Sequence, residues 1–197
     1  MFTGIVQELG TVLAVRRASN VTRLSIHAPK IAARLRAGES VAINGVCLSV
    51  VRIRQSALEC DVIPETRRLT NLSTVSSGLR VNVEPSLALT DRLNGHVVLG
   101  HVDGVGRIFR SSTRAGDVAL AIRVAPAVRR YLVPKGPITV DGVSLTLGAT
   151  LTPTTCSVFL IPETMRQTTL GLRRVGDVVN IEIDYFAKLI AQLTRNP

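Results

Sequence analysis

The chain has 197 residues, of which 46% are hydrophobic and 19% charged, a packed globular composition that excludes disordered and collagen-like classes. Its net charge of +10 divides evenly: residues 1–96 hold 12 basic and 7 acidic side chains, and so do residues 97–197, giving +5 in each half and no basic tail. The aromatic residues are only Phe2, Phe109, Phe159, Phe186, Tyr131 and Tyr185, too few to form the stacking platforms of a nucleic-acid-binding barrel, so no nucleic-acid partner is expected.

No apolar run reaches the roughly 18 residues that span a bilayer. MFTGIVQELG lacks the basic, apolar and small-residue regions of a secretory signal. No membrane association and a cytoplasmic location are therefore expected. Cys47, Cys60 and Cys156 are odd in number and form no CxxC pair, which indicates neither a disulfide framework nor a metal site.

In chain order, β-branched runs predict strands over 4–15, 22–27, 40–54, 57–63 and 80–84. Asn44-Gly45 marks a hairpin inside the third run, because both residues tolerate the positive φ of a two-residue type I′ turn. Short helices are expected over 29–36 and after Pro64, which suits a first helical turn. LALTDRLNG (87–95) reads as a linker. The pattern then starts again, with Asp141-Gly142 as the second hairpin signal, a short helix over 126–132, and another after Pro162. The tail places Phe186, Leu189, Ile190 and Leu193 at helical spacing, predicting a helix over about 186–195. A helix that short is marginal alone and needs a partner.

The repetition extends to the letters. GIVQELGTV (4–12) matches GHVDGVGRI (100–108), VAINGVCLSV (41–50) matches ITVDGVSLTL (138–147), and VNVE (81–84) matches VNIE (179–182). VIPETRRLTNLS (62–73) and LIPETMRQTTLG (160–171) agree at seven of twelve positions. The offset grows from 96 to 97 to 98, as in two copies of one fold separated by small loop insertions. Five or six short strands per copy argue for an all-β chain: two similar small closed or Greek-key β-barrels, residues 1–96 and 97–197, plus a short C-terminal helix.

Period-two alternation then decides which side chains share a face. Val46, Leu48 and Val50 point one way and Cys47 and Ser49 the other; in copy two Val143, Leu145 and Leu147 oppose Ser144 and Thr146. Such a strand can simply turn its polar face to water, yet both copies avoid charge there, which favours hydroxyls and a thiol lining a pocket. Glu65-Thr66 and Glu163-Thr164 form a second repeated polar pair, equally readable as carboxylates favouring a helix N-terminus. The copies differ at Ile5/His101, Cys47/Ser144 and Ser86/Asp184, so titratable groups are unequally shared. His101 is the acid–base candidate by residue type; His96 follows a turn-like Asn-Gly and reads as closing the linker.

Together the motifs MFTGIV, NGVCLSV, the two IPET strings, GHVVLGHVDG, KGPITVDGVSLT and VNIEID closely resemble those of the riboflavin synthase family, from residue 1 to about 190. The resemblance implies two six-stranded Greek-key barrels assembled as a homotrimer. It implies a dismutation in which two molecules of 6,7-dimethyl-8-ribityllumazine exchange a four-carbon unit, yielding riboflavin and 5-amino-6-ribitylaminouracil without cofactor or metal. By the same resemblance Gly4, Ile5, Val6, Cys47, Leu48, Ser49 and the run Asp61, Val62, Ile63, Pro64, Glu65, Thr66 line a first pocket. Gly100, His101, Val102, Lys135, Ser144, Leu145, Thr146 and the run Leu160, Ile161, Pro162, Glu163, Thr164, Met165 line a second. Phe2 and Thr3 lie close to the ligands. Ser144 and Asp184 are expected as a hydrogen-bonded pair acting on one substrate, with His101 and Cys47 serving the other. Each productive site is expected between the N-terminal barrel of one subunit and the C-terminal barrel of its neighbour. Ser49 for a usual threonine, Pro85 for an arginine, Asn94 for a glycine and a short tail depart from the pattern. A non-catalytic lumazine- or flavin-carrying relative of the same fold is the alternative.

Overall fold

The computed structural model describes residues 1–114 and 117–194. Six strands form the first sheet: β1 (Glu8–Arg17), β2 (Thr22–His27), β3 (Ser40–Ile43), β4 (Val46–Arg54), β5 (Ala57–Val62) and β6 (Arg80–Pro85). They close into a barrel in the order β1-β2-β5-β4-β3-β6. Helix α1 (Pro29–Ala32) carries the chain from β2 across to β3, and β4 and β5 bring it back beside β2, the Greek-key path. Helix α2 (Pro64–Leu69) and a 3-10 turn (Asn71–Thr74) precede β6.

The second sheet repeats these steps with β7 (Gly104–Arg114), β8 (Asp117–Arg123), α3 (Pro126–Arg129), β9 (Pro137–Val140), β10 (Val143–Thr146), β11 (Thr155–Leu160), α4 (Pro162–Gln167), a 3-10 turn (Thr169–Leu172) and β12 (Val178–Ile183). Its order, β10-β9-β12-β7-β8-β11, is the same cyclic order entered at another strand. Here the seam is looser. β10 stops at Thr146, and a single bridge, Leu147–Val158, joins it to β11. The long hairpin of copy one is replaced by LGATLTPTT, and Gly148 presses on β11 so closely that a Cβ there would meet Ser157 Oγ.

Each sheet wraps its own core. Leu24, Ile26, Ile43, Leu58 and Val83 fill the first, and Ile108, Leu120, Ile122, Ile138 and Ile181 the second. Matching bulges, between Val12 and Ala14 in β1 and between Ile108 and Arg110 in β7, supply the bend that closure needs. Both expected turns form, with φ of 47° and 77° at Asn44 and Gly45 and the same values at Asp141 and Gly142. β1 starts at Glu8, later than the run from residue 4 predicted, because Gly4 takes φ of 75° and turns the chain away.

The two hairpin turns meet back to back: a Cβ on either Gly45 or Gly142 would lie 2.6 Å from the other's backbone nitrogen. Around them runs a reciprocal set of buried bonds. Asn82 Nδ2 donates to Asp141 O (2.8 Å) and Asn180 Nδ2 to Asn44 O (2.9 Å). Asn82 Oδ1 accepts from Thr169 N, and Asn180 Oδ1 from Asn71 N, each at 2.7 Å. The repeated VNVE and VNIE strings therefore each contribute an asparagine that holds the opposite barrel. Burial pushes the Asp141 carboxyl above its usual range, although the Arg173 guanidinium at 2.6 Å opposes the shift.

Helix α5 (Tyr185–Leu193) ends the described chain; position 195 of the expected helix lies outside the described residues. Its apolar face is exposed, with Ile190 at 61% and Leu193 at 77%. Among the described residues no helix is long and apolar enough to cross a membrane.

Candidate active site: a repeated site joined by bridging segments

The predicted grouping of the pocket residues is corrected at one point. Segment 1–7 bridges the two barrels: Thr3 N and Gly4 N donate to Glu84 and Gln7 N to Val83 O of its own barrel, while Gly4 O and Val6 reach the other. Gly4 O accepts from Ser144 N at 2.7 Å, and Val6 packs on the second core. Reciprocally, Gly100 O accepts from Cys47 N at 2.9 Å, and Val102 packs on the first core. Gly4, Ile5 and Val6 thus belong with Ser144, whereas Gly100, His101 and Val102 belong with Cys47. The glycines permit this. Their φ values are 75° and 78°, and a Cβ would lie 2.7 Å from Ser144 Cβ or 2.6 Å from Cys47 Cβ.

Two buried carboxylates tie each of these segments back to its own barrel, so that each bridges the two. Glu84, at the end of β6, accepts from Thr3 N and Thr3 Oγ1 (both 2.8 Å) and from Gly4 N (3.2 Å). Glu182, at the end of β12, accepts from Leu99 N (2.8 Å) and Gly100 N (3.1 Å). Burial raises the pKa of both, partly offset by these bonds. The sequence carried a signal for them, since both repeats place a carboxylate in an apolar strand.

In the first pocket the alternation of β4 is as predicted: Val46, Leu48 and Val50 are buried, Cys47 half-buried and Ser49 exposed. Leu48 therefore faces the core. A cavity of ≈ 180 Å³ joins Cys47, Glu65 and Thr66 to Gly100, His101 and Val102. Cys47 is the one thiol placed to meet a ligand, because burial pushes Cys60 up to about 12 and Cys156 to about 11. Glu65 pairs with Arg68 at 2.7 Å, which holds its carboxyl below the usual range, and Glu163 pairs with Arg166. Both glutamates sit on exposed first turns, as the helix-terminus reading required. Asp61 is bound by Arg23 at 2.7 Å, and its carboxyl is held low mainly by that bond.

At the two strand-to-helix corners the alternation separates the IPET residues. Val62 and Leu160 are 1% exposed and belong to the cores, so only their backbone can face a ligand. Ile63 and Ile161 are 57% and 60% exposed, matched apolar surfaces beside Pro64 and Pro162. Met165 and Leu145 pack partly on the second core. Thr146 is exposed, as is Lys135, which takes φ of 63°. Phe2 is placed differently from the expectation. Its ring is wholly buried with Ala42 and Val98, against Cys47, so it holds the pocket wall and presents no face to a ligand. Thr3 is likewise buried and bound to Glu84.

The expected Ser144–Asp184 bond is absent among the described residues. Asp184 instead caps α5, its Oδ1 accepting from Phe186 N at 3.2 Å. Ser144 Oγ lies 2.7 Å from His96 Nδ1, and His96 Nε2 lies 3.2 Å from Thr139 Oγ1. Burial lowers the His96 pKa, and the Asp184 carboxylate partly offsets this. In the sequence His96 follows Asn94-Gly95 and belongs to the linker; only the fold brings it beside β10.

A larger cavity, ≈ 280 Å³, opens between the barrels beside Asn71, Arg80, Arg173 and Asp177. It contains none of the predicted site residues, and Asn71 and Arg173 are already engaged in the inter-barrel bonds. Among the described residues no group of three His, Cys, Asp or Glu side chains could hold a metal ion.

The lumazine binding domain model matches the chain twice, at residues 3–86 and 99–184. The riboflavin synthase of Mycobacterium bovis is 42% identical over 200 residues, covering 100% of this chain and 99% of that protein. The riboflavin synthase of Bacillus subtilis is 39% identical over 188 residues, covering 95% and 87%. Among solved structures, LumP complexed with riboflavin superposes with a TM-score of 0.86 at 23% identity, over 93% of this chain and 99% of that one. LumP complexed with 6,7-dimethyl-8-(1'-D-ribityl) lumazine gives 0.84 at 22%. A twice-repeated lumazine binding domain and near-complete alignment with riboflavin synthases at about 40% identity lead to one assignment: the chain belongs to the riboflavin synthase family.

Proposed function

We infer that the chain catalyses the dismutation of two 6,7-dimethyl-8-ribityllumazine molecules to riboflavin and 5-amino-6-ribitylaminouracil. The observation that supports this is a repeated strand with different reactive groups in its two copies: Cys47 lines a cavity with His101 in one, and Ser144 bonds to His96 in the other. Two copies of one compound must play unlike parts, one giving and one receiving four carbons. A repeated strand end with unlike side chains in its two copies suits that requirement. The C7 methyl of the lumazine is acidic because the ring system delocalises the carbanion, so holding two heterocycles in register supplies much of the acceleration. The exposed corners at Ile63 and Ile161 offer apolar contact to the rings, and the adjacent backbone offers hydrogen bonds to their edges.

Productive pairing across neighbouring subunits is the arrangement we propose for the assembled enzyme. Within one chain Cys47 and Ser144 stand on different barrels, and the exposed apolar face of α5 requires cover, which a homotrimer would supply. Flavin fluorescence appearing from the lumazine as sole organic substrate tests the activity; lumazine binding without turnover would identify a carrier instead. The pairing is tested by mixing Cys47→Phe and Ser144→Phe chains, each inactive alone. Random reassembly restores about a quarter of wild-type activity if sites form between subunits, and none if they form within one.

A further inference from the structure

His96 touches both Ser144 and Thr139, and the direction of each hydrogen bond is set by a burial constraint. Thr139 is 1% exposed on β9, and its hydroxyl has no partner among the described residues other than His96 Nε2. A buried O–H left without an acceptor is costly, so Thr139 donates and Nε2 accepts. The neutral imidazole then carries its proton on Nδ1. That proton is donated to Ser144 Oγ at 2.7 Å.

We propose that His96 is a positioning residue that fills the acceptor side of Ser144 Oγ, leaving the Ser144 hydroxyl proton to be donated to the heterocycle in the second pocket. Ser144 is thereby a hydrogen-bond donor to the negative charge that spreads through the ring when the C7 methyl loses its proton. It is neither nucleophile nor base, because the nitrogen that faces it already bears a proton. A protonated imidazole is disfavoured in the same place, since burial lowers the His96 pKa and Asp184, the charged group acting on it, offsets this only in part. Gly95 makes the approach possible: a Cβ there would lie 2.0 Å from Thr3 O and 3.0 Å from Ser144 Oγ. The His96 N–H fixes the turn by donating to Thr3 O at 3.2 Å. The first pocket, with Cys47 at the equivalent position, has a thiol in place of this hydroxyl and is correspondingly a poorer donor.

The inference rests on the riboflavin synthase reading, and wild-type protein that fails to turn over lumazine would refute that reading first. With active wild type, His96→Ala lowers kcat about tenfold to a hundredfold while KM changes less than about threefold, because the donor acts on the charged intermediate. His96→Asn restores kcat to within about threefold of wild type, since its Nδ2 sits one bond from Cγ as Nδ1 does and donates to the same oxygen. Thr139→Val, nearly isosteric, frees the tautomer and lowers kcat by about fivefold without loss of riboflavin binding. An unchanged kcat in His96→Ala, or an asparagine variant as slow as the alanine one, overturns the proposal; the latter result would make His96 a base. Should His96→Ala fail to fold, the asparagine and valine variants decide the question by the same criteria.

Discussion

Replacing Asn180 by alanine perturbs the contact that makes two barrels one molecule. The substitution removes the acceptor of the Asn71 N–H (2.7 Å) and the donor to the Asn44 carbonyl (2.9 Å), both buried. Asn71 Oδ1 also loses its 3.0 Å bond and keeps only a 3.5 Å contact with Asn44 Nδ2. Each buried group left unpaired costs about 1–3 kcal/mol, so the two outright losses sum to about 2–6 kcal/mol. That is a large part of the roughly 5–15 kcal/mol that stabilises a typical fold. At this chain length about 1 kcal/mol corresponds to about 2–4 °C, so a central value near 4 kcal/mol lowers Tm by about 8–16 °C. Urea unfolding followed by circular dichroism gives the free energy from midpoint and slope. Ser112→Ala, on an exposed strand position, serves as control and shifts stability by no more than about 0.5 kcal/mol. A shift in Asn180→Ala equal to that control would refute the claim that these crossed asparagines hold the barrels together.

Three further outcomes are expected. Gly4→Ala puts a Cβ 2.7 Å from Ser144 Cβ at a φ of 75°; displacing the wall of the second pocket lowers kcat/KM by about tenfold or more in steady-state assays, whereas unchanged kinetics would contradict the bridging contact. Phe2→Ala empties a fully buried ring site against Cys47, and calorimetry is expected to register about 3–5 kcal/mol of lost stability. The folded-state pKa of His96 is depressed by burial, so as pH falls below the unfolded value of about 6.5 the unfolded chain takes up a proton that the folded one refuses. Stability contributed by neutral His96 is therefore complete above about pH 6.5 and lost on acidification toward the folded value, where the slope ends. Wild type minus His96→Asn, compared by urea midpoints across that window, isolates the slope; identical pH dependence in both would oppose it.

What the sequence discloses is local. The Asn-Gly and Asp-Gly turns follow from backbone chemistry within two residues, and the alternation at Val46–Val50 follows from the strand period, so both are correct in detail. The duplication and the family motifs are equally legible, being properties of strings. The partition of residues between pockets is not. Gly4 and Gly100 reach the opposite barrel through their carbonyls, which accept from Ser144 N and Cys47 N, partners far away in the chain. A pattern of spacing carries no trace of such a bond. The family resemblance pairs Ser144 with Asp184; the fold instead uses Asp184 to cap α5 and supplies His96 from the linker. The ends of repeated strings are where a reading by alignment of the copies fails, because there the chain bridges one barrel to the other.

The most direct measurement of the central claim is product stoichiometry. Purified protein is incubated with 6,7-dimethyl-8-ribityllumazine, and substrate and both products are quantified by liquid chromatography as the reaction proceeds. The expected result is one riboflavin and one 5-amino-6-ribitylaminouracil for every two lumazines consumed, with the ratio constant over time. Lumazine retained on the protein with neither product formed, or riboflavin formed without its pyrimidine counterpart, would contradict it.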